Sequence, residues 1–206
     1  MMEGALAYFT PEQRSRLASV RIGIAGAGGL GSNVALMLAR SGVNDFIIVD
    51  DDMVEPSNLN RQQYFPRHLG MPKAEALASV LHELDPAIKV DARSLHIETR
   101  NLPQLLQCAP IWVEAVDDAA LKQSITAAAA AAGKPVFCGS GMGGFGGRAM
   151  RRKVLRHSNG IIVITGDLAT DIAQAPPLAP RVIQCASMQA DAVLEYILTG
   201  TVAPLS

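Results

Sequence analysis

Residues 20–42 read VRIGIAGAGGLGSNVALMLARSG, and the fold turns on how this stretch divides. VRIGIA is apolar without strict alternation, as in a strand buried on both faces. From Gly29 onward, Val34, Ala35 and Leu38 fall on one side of a helix. At the join, GAGGLG sets Gly26, Gly28 and Gly31 in G-x-G-x-x-G spacing between a strand and a helix, the context that this motif requires. Gly26 permits a tight turn, Gly28 lets a phosphate or ribose approach the backbone, and Gly31 allows close helix–strand packing. The helix N-terminus then offers free N–H groups and the positive end of its dipole.

Outward from this unit, strand and helix alternate. DFIIVD (45–50) is a second strand, and residues 72–85 carry Ala74, Leu77, Ala78, Leu81 and Leu84 at helical spacing. IKVDARSL (88–95) alternates as a strand. PIWVEAV (110–116) and KPVFCGS (134–140) read as buried strands around a helix over 117–132. TPEQ (10–13) has a helix-start pattern, with Thr10 as N-cap, Pro11 at the first helical position and Gln13 completing a capping box. The order predicts an α/β fold: a Rossmann-like, mostly parallel sheet with helices on both faces. Past residue 140 the pattern changes. GMGGFGG (141–147) is too glycine-rich for regular structure. RAMRRKVLRH and GIIVITG flank SNG as antiparallel strands of a hairpin, with RRK (151–153) on an exposed face. DIAQAPPLAP (171–180) is a proline-rich crossover, and a C-terminal helix runs from about 184 to 199. The expected organisation is one domain over 1–206: an N-terminal helical segment (1–19), a nucleotide-binding core (20–140), and a glycine-rich loop, hairpin and closing helix (141–206).

Composition narrows the function classes. Of 206 residues, 49% are hydrophobic and 18% charged, which argues against disorder. A net charge of −1 gives no global reason for a nucleic-acid or membrane partner. MMEGALAYFT lacks the basic-then-apolar order of a signal peptide, so a cytoplasmic location is expected. Cys108, Cys138 and Cys185 form no C-x-x-C pair, which argues against a disulfide framework and a thiolate zinc site. Each cysteine is expected to be structural, and the histidines show no ligand spacing.

The chemistry concentrates after the second strand, in DDDMVEPSNLNRQQY (50–64). Asp50 closes the strand where a carboxylate can bind ribose hydroxyls. A dinucleotide site needs no cations just beyond it, yet Arg61 follows, and Lys73 opens the next helix. Arg61 can grip a phosphate bidentately and Lys73 can act as a point charge. Asp117 lies just past the fourth strand, at the ligand-binding edge of such sheets, and a carboxylate near phosphates suggests Mg²⁺. The set suits a triphosphate, although the P-loop pattern is absent.

These residues resemble a known family. GIAGAGGLGSNVA, VDDDMVEPSNLNRQ, GMPKAEA and EAVDD, in this order, look like the adenylating domain of ThiF, MoeB and the ubiquitin-activating enzymes. The match runs from about 20 to 140 and resumes at LAPRVIQCASMQADAVLEYILTG. It implies an ATP-dependent adenylyltransferase that binds a small ubiquitin-like sulfur carrier ending in Gly-Gly. The carrier's terminal carboxylate attacks the α-phosphate, giving acyl-adenylate and pyrophosphate. Carried onto this chain, the resemblance puts Gly26, Gly28, Gly29, Gly31, Asp52 and Gln62 at the nucleotide, has Asp50 hold the ribose and Arg61 and Lys73 the phosphates, and has Asn58 support the phosphate loop. Asp117 binds Mg²⁺, and Arg61, Lys73 and Asp117 carry the catalysis. Asp51 reads as solvated. The short length is most similar to compact ThiF-type proteins of thiamine biosynthesis, and family members are usually symmetric dimers. The C-x-x-C pairs and crossover cysteine of longer members are missing, so no zinc and no thioester step are expected. Arg14 and Arg16 lie too close to the first strand to match the arginine that longer members extend to their partner. A nicotinamide-dependent oxidoreductase, a molybdopterin-type or tRNA-modification carrier, and a non-catalytic nucleotide-binding module remain alternatives.

Overall fold

The computed structural model describes residues 6–140, 142–146, 149–157, 160–167 and 175–205. Its first helix, α1 (Pro11–Ser19), has the reciprocal cap that TPEQ encodes. The Thr10 hydroxyl accepts from the Gln13 N–H at 3.2 Å, and the Gln13 side chain accepts from the Thr10 N–H at 2.9 Å. Then follow β1 (Arg21–Ala25), α2 (Gly29–Arg40), β2 (Asp45–Val49), α3 (Lys73–Leu84) and β3 (Lys89–Arg93). A short α4 (Leu102–Gln107) leads to β4 (Ile111–Glu114), α5 (Ala119–Ala131) and β5 (Val136–Gly139). β6 (Arg151–His157) and β7 (Gly160–Gly166) are the hairpin strands, and α6 (Ala179–Thr199) comes last.

The strands make one seven-stranded sheet in the order β3-β2-β1-β4-β5-β7-β6. Every pairing is parallel except β6 with β7. The chain winds one way from β1 through β2 to β3, then returns to β4 and winds the other way. The loops leaving β1 and β4 therefore part company, and a crevice opens between them at the carboxyl edge. Alternation along the strands feeds two apolar layers. Ile22, Ile24, Phe46 and Ile48 pack with Leu38, Leu77 and Val193 of α2, α3 and α6. Ile47, Val49, Trp112 and Val136 pack with Leu105 and Ile125 of α4 and α5. Among the described residues no helix is long and apolar enough to cross a membrane.

Two expectations for the C-terminal third are corrected. Of RRK at 151–153, Arg151 and Lys153 are exposed, but Arg152 alternates inward and is 3% exposed. Its guanidinium meets Asp191 at 2.5 Å and Glu195 at 2.8 Å, both on α6. Three adjacent strand residues cannot share one face, and a buried charge needs partners. Helix α6 begins at Ala179 rather than near 184, because Pro180 sits in its first turn, where a missing N–H costs nothing. Crossover residues 171–174, and Gly141 and Gly147 of the glycine-rich segment, lie outside the described residues. The segment between them does contact the end of the crossover: Gly143 bridges Pro177, and the Gly144 N–H donates to Pro176 O at 2.9 Å.

Helix α2 rests on β1 through Gly31. A Cβ there would lie 1.8 Å from the carbonyl oxygen of Gly26, a backbone clash with no soft side chain to yield. Gly31→Ala is therefore expected to lower folding stability by about 3 kcal/mol or more, measured by denaturant unfolding. A loss within about 0.5 kcal/mol would contradict this packing.

Candidate nucleotide site

The turn between β1 and α2 is built as its glycines suggest. Gly26 has φ +95°, and a Cβ on it would come within 2.6 Å of Ala115 O. Gly28 stands at the N-cap of α2 and faces open space, with only the Gln62 Nε2 near, at 3.8 Å from a would-be Cβ. That opening places the first-turn N–H groups of α2 at the crevice. Two polar residues of the same turn hold the neighbouring loop. Asn33 donates to Gly29 O at 2.6 Å and Arg61 O at 2.9 Å and accepts from Gln63 at 2.6 Å, while the Ser32 hydroxyl accepts from the Gln63 N–H at 3.2 Å. Sequence reasoning missed these two, because a helix pattern counts polar residues as solvent-facing; both are buried.

Asp50 fastens the turn from the β2 side. Its carboxylate accepts from the Ala27 N–H at 2.6 Å and the Asp52 N–H at 2.8 Å. Burial pushes its pKa above the usual carboxylate range, and these two backbone donors pull it back down. Each oxygen keeps a lone pair for a ribose hydroxyl. The other aspartates have partners of their own. Asp52 binds the Lys73 ammonium at 2.6 Å. Asp51, expected to be solvated, meets His96 Nδ1 at 2.7 Å on the rim.

The loop after β2 delivers the cations. Asn58 shapes it: its Oδ1 accepts from the Glu55 N–H at 3.1 Å and closes a single 3-10 turn, Pro56–Asn58. Arg61 spends Nη1 on Ser57 O at 2.9 Å and Asn60 Oδ1 at 2.8 Å. Its Nη2 and Nε make no hydrogen bond among the described residues, so one edge of the fork is open. Lys73, largely buried at the start of α3, gives one of its three N–H donors to Asp52 and keeps two. Tyr64 ties the glycine turn to the start of α3, its hydroxyl lying 2.6 Å from Ala27 O and 3.2 Å from Lys73 O. Gln62 is 8% exposed, and its Oε1 has no hydrogen-bond partner among the described residues, an uncompensated acceptor on the crevice wall.

The loop after β4 brings Asp117. Its exposed carboxylate makes no hydrogen bond or ion pair among the described residues. Its neighbour Asp118 instead caps α5, accepting from the Leu121 N–H at 2.6 Å. Beneath lies a group that sequence reasoning did not single out. Glu114 has a fully buried side chain, bound by the Lys122 ammonium at 2.7 and 2.6 Å. Lys122 also donates to Gly139 O at 3.0 Å, and Gln189 donates to Glu114 O at 3.0 Å and Phe137 O at 2.7 Å. Desolvation raises the Glu114 pKa against the pull of Lys122. Cys138, beside this pair, is pushed up to about 12 by burial first and the Glu114 charge second. Burial likewise raises Cys185. Both thiols stay protonated at neutral pH, as expected of structural cysteines.

The glycine turn, the loop after β2 and the loop after β4 meet at one cavity of about 770 Å³ in the crevice. Every residue predicted for the site lines it, Gly26, Gly28, Gly29, Asp50, Asp52, Asn58, Arg61, Gln62, Lys73 and Asp117, except Gly31, which packs beneath the turn. Its size falls within the range of small-molecule sites. Asp117 suits Mg²⁺, which takes one or two carboxylates along with phosphate oxygens and retains waters. The Asp50, Asp51 and Asp52 oxygens lie within 4.8 Å of one another, but each carboxylate already has a partner.

The fold and cavity define a doubly wound α/β domain of the nucleotide-binding type. A sequence model of the ThiF family matches residues 3–204, and the chain belongs to that family. It is 37% identical over 109 residues to the SAMP-activating enzyme E1 of Haloferax volcanii, covering 52% of this chain and 40% of that one. It is 33% identical over 138 residues to the sulfur carrier protein ThiS adenylyltransferase of Escherichia coli K12, covering 66% and 55%. With the sulfur carrier protein adenylyltransferase of Thermus thermophilus the figures are 34% over 131 residues, 63% and 48%. The chain thus spans about half the length of these relatives, or less. Among solved structures it resembles E. coli tRNA N6-threonylcarbamoyladenosine dehydratase, TcdA, in complex with ATP, at TM-score 0.87 and 18% identity over 97% of this chain and 94% of that one. It also resembles E. coli MccB with ATP, at TM-score 0.73 and 21% identity over 92% and 60%. At these identities the likeness is one of fold.

Lys122→Met would leave Glu114 buried and unpaired, with an expected stability loss of about 3–5 kcal/mol at pH 8. A carboxyl whose folded pKa is raised loses stability as pH rises through that value, so the loss should shrink as pH falls toward the ordinary carboxylate range. Thermal unfolding at pH 8 and pH 5 checks this; a loss that grows on acidification would contradict it.

Proposed function

We propose that the protein is an ATP-dependent adenylyltransferase acting on the C-terminal carboxylate of a small ubiquitin-like sulfur carrier ending in Gly-Gly. One observation carries the reading: Arg61, Lys73 and Asp117 face the same cavity as the glycine turn. Family membership and the adenylyltransferase names of its relatives support it. A nicotinamide dinucleotide would use Asp50 and the turn but leave both cations without a task.

The chemistry asks for positioning and charge neutralisation. A carboxylate oxygen of the carrier forms a bond to the α-phosphorus as the bond from that phosphorus to the β-bridging oxygen breaks. Pyrophosphate departs with the electron pair. The nucleophile is already an anion, so no general base is needed. Asp50 accepts from the ribose, and the amides at the start of α2 meet the phosphates. The open edge of Arg61 and the two free donors of Lys73 neutralise charge that builds on the leaving group. Mg²⁺, when bound, neutralises further phosphate charge, and Asp117 is the residue that would hold it. Asn58 keeps the Arg61 loop in shape. We assign the carrier to the thiazole branch of thiamine biosynthesis and the enzyme to a cytoplasmic homodimer.

ATP–pyrophosphate exchange tests the proposal. Exchange should require both a Gly-Gly-ended carrier and Mg²⁺ and should fall about 100-fold in Arg61→Ala. Exchange that ignores the carrier, or ATP binding with no exchange for any such carrier, would overturn it.

A further inference from the structure

We infer that Lys122 is a positioning residue: acting through the carboxylate of Glu114, it sets the turn that carries Asp117. The inference rests on the proposed role of Asp117 and deepens it.

The geometry is a closed ring of contacts. β4 ends at Glu114, and the next residue still pairs with β1, the Ala115 N–H donating to Ala25 O at 2.8 Å. The chain then leaves the sheet. Glu114 Oε1 accepts from the Val116 N–H at 2.9 Å, fixing the bond just before Asp117. Asp118 caps α5 just after it, through the Leu121 N–H at 2.6 Å. One helical turn further on, Lys122 reaches back to both oxygens of Glu114, at 2.7 and 2.6 Å, and to Gly139 O on β5 at 3.0 Å. All three ammonium N–H donors are used within the ring. Lys122 lines the cavity, but its charge is committed downward. From the other face of the sheet, Gln189 clamps the backbone of Glu114 and Phe137. Asp117 itself has no side-chain partner among the described residues, so this ring sets where its carboxylate stands.

A fully buried carboxylate held by a partly buried ammonium is a poor device for stability alone, since apolar residues of similar volume often serve as well or better. Its use here is directional: three bonds from one ammonium fix the angle between α5 and the β4 and β5 ends. Replacing the pair by neutral groups should therefore leave the ribose and glycine side of the cavity intact and loosen the Asp117 side.

The test is nucleotide binding to the whole chain by calorimetry, for wild type, Asp117→Asn, Lys122→Arg and the double variant Glu114→Gln/Lys122→Met, which buries no charge. In the double variant the Mg²⁺ concentration for half-maximal ATP binding should rise about tenfold, as in Asp117→Asn, while AMP affinity measured without Mg²⁺ stays within about twofold. Lys122→Arg, which keeps charge and donors, should restore most of the Mg²⁺ response. An unshifted Mg²⁺ response in the double variant, beside a shifted one in Asp117→Asn, overturns the inference alone. Equal losses of AMP and ATP affinity overturn it too, because Lys122 would then act on the phosphates or on the fold at large. If wild type shows no Mg²⁺-dependent ATP binding, or Asp117→Asn leaves it unchanged, the reading of the site fails and this inference falls with it. Should the double variant not fold, Glu114→Gln alone must shift the Mg²⁺ response in the same direction; no shift there counts against the inference.

Discussion

The carboxylate of Asp50, bonded to the Ala27 N–H at 2.6 Å, is the contact on which the site depends. It ties the ends of two adjacent parallel strands together and holds the glycine turn from the side. With the turn fixed, α2 leaves β1 at an angle that only Gly31 permits. The α2 N-terminus then points into the crevice, where its unpaired N–H groups and dipole favour an anion. The same carboxylate receives the Asp52 N–H at 2.8 Å, which turns the Asp52 side chain toward Lys73. One half-buried acid thus orders the N-terminal end of α2 and a cation beside it.

The three aspartates at 50–52 look alike in sequence and are quite different in space. Asp50 is a backbone clamp, Asp52 aims a lysine, and Asp51 pairs with His96 at the rim. Asp117 is the contrast, an acid with no side-chain partner among the described residues and therefore with its acceptors available. Acidic groups already matched to cations or N–H donors contribute order. Unmatched groups that face a cavity contribute chemistry.

Much of this was legible because it is local. The strand–glycine–helix unit, the capping box at Thr10 and the strand-end position of Asp50 are short-range patterns with fixed geometry. Spacing placed Gly26, Gly28 and Asp50 on the cavity wall, residue chemistry added Arg61, Lys73 and Asp117, and the family resemblance supplied Gly29, Asp52, Asn58 and Gln62. What sequence could not give is partnership across distance. Arg152 finds Asp191 and Glu195 on a helix far along the chain, so a basic triplet read as surface. Ser32 and Asn33 were hidden by their place on a helix, and Lys122 by a weakly patterned, alanine-rich one. Glu114 did leave a trace: a charged residue closing the apolar run IWV, in a strand buried on both faces, must have a partner. The identity of that partner was not in the pattern. The start of α6 was misplaced because proline reads as a break, although the first helical turn tolerates it.

Under the proposed function the cavity takes a triphosphate and not a nicotinamide dinucleotide. Calorimetric competition between MgATP and NADH on the purified chain tests it most directly. MgATP should bind one-to-one, and NADH should neither bind comparably nor displace it. Tight NADH binding that ATP cannot displace would rule out a triphosphate site.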